Sequence, residues 1–342
     1  MTPHLFNYKG TFDFEAGGSI KDLHIAYHTS PRPYEAGDKR KVIWICHALT
    51  ANSDAEDWWP QLTGPGKLFD TEKYFVICAN ILGSCYGSSG PSSINPDTGK
   101  PYYFNFPKIT VRDITKAIDL LRISLGIKKI DFIVGASIGG FMALEWSIMN
   151  PELIKKAVYF ATGARVTPWL TAFEESQRMA LEADPSFREC KSLDGGKEAL
   201  KCARTIALLS YRCEKIYNET QKEENGDTLF ADRACSYHRY QGKKLADRFD
   251  AYSYYYLSYS IDSNNVGRNR GGVDNALGKI QADSTLISID SDLLFTPEEI
   301  EDMAEKIHGS KYHEIHSRYG HDGFLLENSQ IGTILKPVID NL

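Results

Sequence analysis

The chain has 342 residues, 42% hydrophobic and 25% charged, with 39 Lys plus Arg against 45 Asp plus Glu for a net charge of −6. Such a chain can bury a large core without metal or disulfide staples, and its acidic balance speaks against a general nucleic-acid binder. Seven cysteines, at 46, 78, 85, 190, 202, 213 and 235, include no Cys-x-x-Cys pair, so neither a disulfide framework nor a zinc knuckle is indicated.

In chain order, the start (Met1 to Phe6) lacks the charged and apolar regions of a secretion signal. No apolar stretch is long enough to span a bilayer, and a reducing cytoplasm is the expected location. Lys41 to Cys46 (KVIWIC), Tyr74 to Leu82, Ile130 to Val134 (IDFIV) and Ile154 to Ala161 read as short buried strands. Cys46 and Cys78 lie inside these runs, as buried thiols do. Helical stretches lie between the strands, at Thr110 to Leu125 and Ile138 to Met149. This alternation predicts an α/β fold with a mostly parallel sheet covered by helices on both faces.

From about Gly163 to Ala276 the pattern changes. This interval has no buried-strand run and reads as amphipathic helices, among them Thr167 to Glu182 and Lys197 to Tyr217. The tyrosines at 252, 254, 255, 256 and 259 are best explained by packing and interface area. Asn264 to Gly272 (NNVGRNRGG) is a loop returning the chain to the core. The strand–helix pattern resumes with Thr285 to Ile289, a helix near Pro297 to Ile307, a strand near Tyr312 to Ile315 and a closing helix. The expected organisation is a core of residues 1–162 and 277–342, with 163–276 inserted as a helical lid.

Gly135-Ala136-Ser137-Ile138-Gly139 fits G-x-S-x-G. The pentapeptide alone is weak, but a buried strand precedes it and a helical stretch follows, the setting in which a sharp turn exposes a nucleophilic serine. A serine hydroxyl needs a base. His321, in the Gly-led turn Tyr319-Gly320-His321-Asp322, lies where an active-site loop belongs, whereas His313 and His316 fall within or at the end of a strand. The acid partner should follow the strand ending at Ile289, leaving Asp290 or Asp292; spacing favours Asp292. Oxyanion donors are expected from the backbone N–H groups of Ile138 and, in the loop after KVIWIC, of Leu49. His47 in that loop reads as a capping or core histidine.

HALTANS at 47–53, GPGKLFDTEKYFVICANILGSCYGSSGPSS at 64–93, GASIGGFMALEW at 135–146, SDLLF at 291–295 and YGHDGFLLE at 319–327 together resemble homoserine O-acetyltransferase. Those enzymes are α/β-hydrolase-fold acyltransferases, and the likeness runs through most of the chain. It implies a ping-pong reaction in which Ser137 takes an acetyl group from acetyl-CoA and the hydroxyl of L-homoserine then receives it, in methionine biosynthesis. It further implies Asp292 as the acid, His321 as the base and Asp322 as a partner of the homoserine amino group. Arg204 would grip the homoserine carboxylate and Tyr211 would line the same pocket. These two lie seven residues apart, two turns along one helix face, and an arginine on an apolar stripe calls for an anion. The family pattern carries no resident cofactor or metal, and implies a homodimer formed through the lid helices. Succinyl-CoA as donor, serine as acceptor, a plain serine esterase and a catalytically silent scaffold are the competing readings.

Overall fold

A computed structural model describes residues 1–35 and 37–342. Two long strands, β1 (Thr2–Asp13) and β2 (Ser19–Thr29), pair as an antiparallel hairpin. β3 (Val42–Cys46), β4 (Phe75–Ala79), β5 (Ile130–Ala136), β6 (Ile154–Phe160), β7 (Asp283–Ile289) and β8 (Lys311–Ile315) follow. They make one eight-stranded sheet in the order β1-β2-β4-β3-β5-β6-β7-β8, parallel from β4 to β8.

The central strands are continuous apolar runs because both faces of the sheet are covered. Val42, Trp44 and Cys46 join the core on one face, and Ile43 and Ile45 the core on the other. The period-two alternation of strand side chains divides them in this way. Helix α1 (Val111–Ser124) starts at a reciprocal capping box between Thr110 and Asp113. It packs on the same face as α2 (Ile138–Met149), where Trp146 meets Trp44 edge-on at 4.8 Å.

Between β6 and β7 the chain is helical: α3 (Pro168–Glu182), α4 (Lys197–Tyr211), α5 (Glu214–Thr220), α6 (Arg233–Ala246) and α7 (Ala251–Asp262). The single helix expected over Lys197 to Tyr217 is two, because Arg212 is extended (φ −114°, ψ 153°) and breaks it after Tyr211. Likewise the strand expected over Tyr74 to Leu82 stops at Ala79, after which Asn80 and Ile81 turn to bond Ala26 and His47. Tyr252, Tyr254 and Tyr256 of α7 are buried, their hydroxyls reaching Phe187 O, Gln177 Oε1 and Phe106 O. The return loop is pinned to the core by ion pairs from Arg268 to Glu15 and Arg270 to Glu145. Apolar side chains of this insertion join those of the sheet in one core.

After β7, α8 (Pro297–Glu305) opens with Pro297 and a Thr296–Glu299 capping box, and α9 (Asn328–Asp340) closes the chain. Among the described residues no helix is long and apolar enough to cross a membrane, and all seven cysteines are free thiols.

Candidate active site

Ser137 stands between β5 and α2 in left-handed conformation, φ 56° and ψ −128°. A non-glycine residue pays for that geometry in strain, and such strain collects at functional turns. Its surroundings enforce it. A Cβ on Gly135 would sit 2.1 Å from Gly139 O, one on Gly139 2.2 Å from Cys46 O, and one on Gly140 2.5 Å from Thr162. The glycines therefore let strand, turn and helix close to contact distance. Ser137 N–H donates to Phe160 O at 3.1 Å, and its carbonyl accepts from Thr162 Oγ1 at 2.8 Å.

His321 lies in a short 3-10 turn (Gly320–Asp322) after β8. Its Nδ1 donates to Asp292 Oδ2 at 2.7 Å, with both side chains buried. Asp292 is fixed in turn by the Leu294 and Phe295 amides, at 2.8 and 3.2 Å from Oδ1. Burial alone would pull the imidazole pKa down; the Asp292 charge, its hydrogen bond and the Asp322 charge outweigh this and hold it above 6.5. Asp290, the other acid considered, pairs with exposed His316 (Nδ1–Oδ2 3.1 Å) and accepts from Ser317 N.

The small chamber over Ser137 has apolar walls from Leu49, Phe141, Leu170, Ile261, Leu294 and Phe295. Glu174 and Tyr211 are its polar walls. His321 borders this group, its ring 5.4 Å from Phe295 and 5.8 Å from Tyr211. The free volume is about 10 Å³, barely room for one water. Among the described residues, neither the Leu49 nor the Ile138 amide has a protein acceptor. His47 braces the Leu49 loop: Nδ1 donates to Ala48 O at 2.8 Å and Nε2 accepts from Ile81 N at 3.1 Å. Burial holds its pKa at about 4, against the hydrogen bond to Ala48 O, so it stays neutral, and with both ring nitrogens engaged it has none left for Ser137. Tyr86 faces Arg248 and Phe249 and does not line the chamber.

On α4, Arg204 lies over the Tyr211 ring at 5.2 Å, and among the described residues no carboxylate pairs with it. Tyr211 is kept un-ionised, its pKa raised by burial first and by the Glu174 charge second. Asp322 is ion-paired to Arg212 at 3.1 Å, so the residue that breaks the helix also reaches the His321 turn. Arg248 ties the insertion to the Leu49 loop, Nη1 donating to Thr50 O at 2.6 Å.

Three features were not read from sequence: Glu174, the Arg212 pairing and the Arg248 tie. Glu174 had a signal. It sits among the buried residues Leu170, Glu174, Gln177, Arg178 and Leu181 of an amphipathic helix, where ionisable groups are uncommon.

A serine in a strained strand-to-helix turn, a buried His–Asp pair from the loops after β7 and β8, and this strand order define an α/β hydrolase. A family model for the alpha/beta hydrolase fold matches residues 41–328. The homoserine O-acetyltransferase of Cyclobacterium marinum is 43% identical over 338 residues, spanning 98% of this chain and 95% of that protein. The solved homoserine O-acetyltransferase of Staphylococcus aureus is 28% identical with a TM-score of 0.81, over 99% of this chain and 95% of that one. An acetylester hydrolase from Corynebacterium glutamicum, 23% identical, shares the fold with a TM-score of 0.86 over 99% and 96% of the chains. The chain belongs to the homoserine O-acetyltransferase family.

Proposed function

We propose that the chain moves an acetyl group from acetyl-CoA to the hydroxyl of L-homoserine through an acetyl-Ser137 intermediate, as a step in methionine biosynthesis. The observation that carries this reading is the single chamber shared by Ser137, Leu49 and Tyr211, with unpaired Arg204 against the Tyr211 ring. One place thus serves acyl transfer and amino-acid recognition.

In the first half-reaction His321 accepts the Ser137 hydroxyl proton as the oxygen attacks the thioester carbonyl. The Leu49 and Ile138 amides meet the oxyanion, and CoA leaves as the thiol with the proton from His321. In the second, His321 takes the proton of the homoserine hydroxyl as it attacks the acyl-serine, and returns it to Ser137 Oγ. Asp292 orients the ring and stabilises its charged form. Arg204 holds the acceptor carboxylate, Tyr211 lines its site, and Asp322 meets its ammonium.

The helical insertion acts as a lid that keeps water from the acyl-serine. Its exposed Trp169, Met179, Leu209 and Tyr240 supply apolar area for a homodimer, and seven free thiols suit a reducing cytoplasm.

The test is CoA release from acetyl-CoA with and without homoserine. Release that does not depend on homoserine would overturn the proposal in favour of a hydrolase. Rates with succinyl-CoA and with serine, run alongside, discriminate the donor and acceptor.

A further inference from the structure

Glu174 is the one ionisable carboxyl on the wall of the Ser137 chamber, and the mechanism above leaves it without a task. It is 2% exposed, and its Oε2 has no hydrogen-bond partner. A buried carboxyl left in that state is costly, and such groups persist where something else satisfies them.

The cation that acts on it is already engaged elsewhere. Arg178, one turn along the same helix, pairs with Glu175 at 2.8 Å and Asp262 at 2.7 Å, and lies over the Tyr259 ring at 4.3 Å. From α7, Asp262 adds a like charge, and Tyr254 uses its hydroxyl on Gln177. From α4, Tyr211 presents a neutral phenol, on which the charges of Glu174, Arg204 and Asp322 all act. An acid with one oxygen unpartnered, its carboxyl otherwise within reach of the Gln177 amide, and an unpaired Arg204 thus stand about one tyrosine. Their charges are opposite to those of the two ends of an amino-acid zwitterion.

We propose that Glu174 is a specificity-determining residue for the acceptor, its Oε2 accepting a hydrogen bond from the α-ammonium while Arg204 holds the carboxylate. The proposal rests on the amino-acid-acceptor reading above. An ammonium carries three donors; Asp322, already paired to Arg212, meets one and Glu174 a second. No covalent change at Glu174 is involved. Burial holds its pKa at about 8, with Arg178 opposing and Asp262 reinforcing. In the empty enzyme at pH 7 the carboxyl is therefore mostly protonated, and an arriving ammonium converts it to carboxylate. Acceptor binding releases a proton.

Two measurements test this. The first compares homoserine with 4-hydroxybutyrate, which keeps the hydroxyl and carboxylate but lacks the amine, in the parent enzyme and in Glu174→Gln. Expected is a fall of about 10- to 100-fold in kcat/KM for homoserine, carried mainly by KM. The preference for homoserine over 4-hydroxybutyrate should collapse by the same factor, and Glu174→Asp should recover part of it. Equal losses for both acceptors would overturn the proposal, since a structural defect does not distinguish them.

The second needs no variant: calorimetric titration of the parent with homoserine at pH 7, in buffers of different ionisation enthalpy. Release approaching one proton per homoserine is expected, and no release would overturn the assignment. If the parent uses homoserine but the preference survives Glu174→Gln, only the Glu174 proposal falls. If the parent shows no dependence on any amino-acid acceptor, the reading beneath it falls.

Discussion

Gly139→Ala adds one methyl where the helix after Ser137 meets the end of β3. The new Cβ would lie 2.2 Å from Cys46 O, 2.8 Å from Cys46 C and 3.0 Å from His47 O. These are backbone atoms at the end of β3, held in register with Gly135 of β5, so no side chain can swing aside. The seam must open by about an ångström to reach ordinary contact, and overpacking of this kind costs about 1–3 kcal/mol. A fall in Tm of roughly 1–4 °C follows for a domain of this size.

Activity should suffer more than stability. The atoms displaced lead directly into the loop that presents the Leu49 amide, and misplacing one oxyanion donor costs about 100- to 1,000-fold in kcat. Thermal unfolding combined with acetyl-CoA turnover reads both effects. A variant with the parent's Tm and turnover would refute the claim that strand–helix contact at Gly139 sets the oxyanion geometry.

Ser137→Ala should abolish acyl-enzyme formation, seen as the absence of a 42-Da adduct by intact-mass measurement (~42 Da for an acetyl group), and lower turnover at least about 1,000-fold. Asp292→Asn should cost about 1,000- to 10,000-fold in kcat. Because Asp292 helps to raise the His321 pKa, and the base works when neutral, the rising limb of the pH–rate profile should move to lower pH in that variant; an unmoved limb counts against the pairing. Arg204→Ala should raise KM for homoserine by about 10- to 100-fold while the acetyl-CoA half-reaction, followed by burst kinetics, is spared; equal loss in both halves would rule out a carboxylate clamp.

What could be read in advance follows from where each signal resides. β3, β5, β6 and β7 are buried on both faces for most of their length and leave short, β-branched and largely apolar runs, so they were visible. β1 is exposed along most of its length and β2 alternates buried with open positions; a hairpin at a sheet edge leaves no such run, and it was missed. Ser137 and His321 stood out because their chemistry needs local turn sequence, which is linear information. The choice of Asp292 over Asp290 was harder. Both follow β7, and only the fold shows Asp290 facing exposed His316 while Asp292 is buried against His321. The break after Tyr211 coincides with Arg212 turning to Asp322, more than a hundred residues away; no glycine or proline in the local sequence marks it.

Glu174 links the stability of the insertion to its occupancy, and the sign of that link can be worked out. The folded pKa is near 8 against an ordinary value of 4.5, with burial the largest cause. Below about pH 4.5 both folded and unfolded chains hold the proton, and the group is neutral to stability. Above it the unfolded chain releases the proton while the folded chain keeps it, so stability falls with rising pH until the folded group ionises near 8. The slope of this one group is at most about 1.4 kcal/mol per pH unit. Glu174→Gln removes the titration while keeping the shape. The Tm advantage of the variant should therefore be small at pH 5, grow steadily to pH 8 and level off beyond. Saturating homoserine should flatten the parent's curve, because a bound ammonium stabilises the carboxylate that otherwise destabilises the fold. A Tm difference constant from pH 5 to 9 would show that Glu174 is not the buried, uncompensated acid described, and the proton release expected on acceptor binding would lose its source.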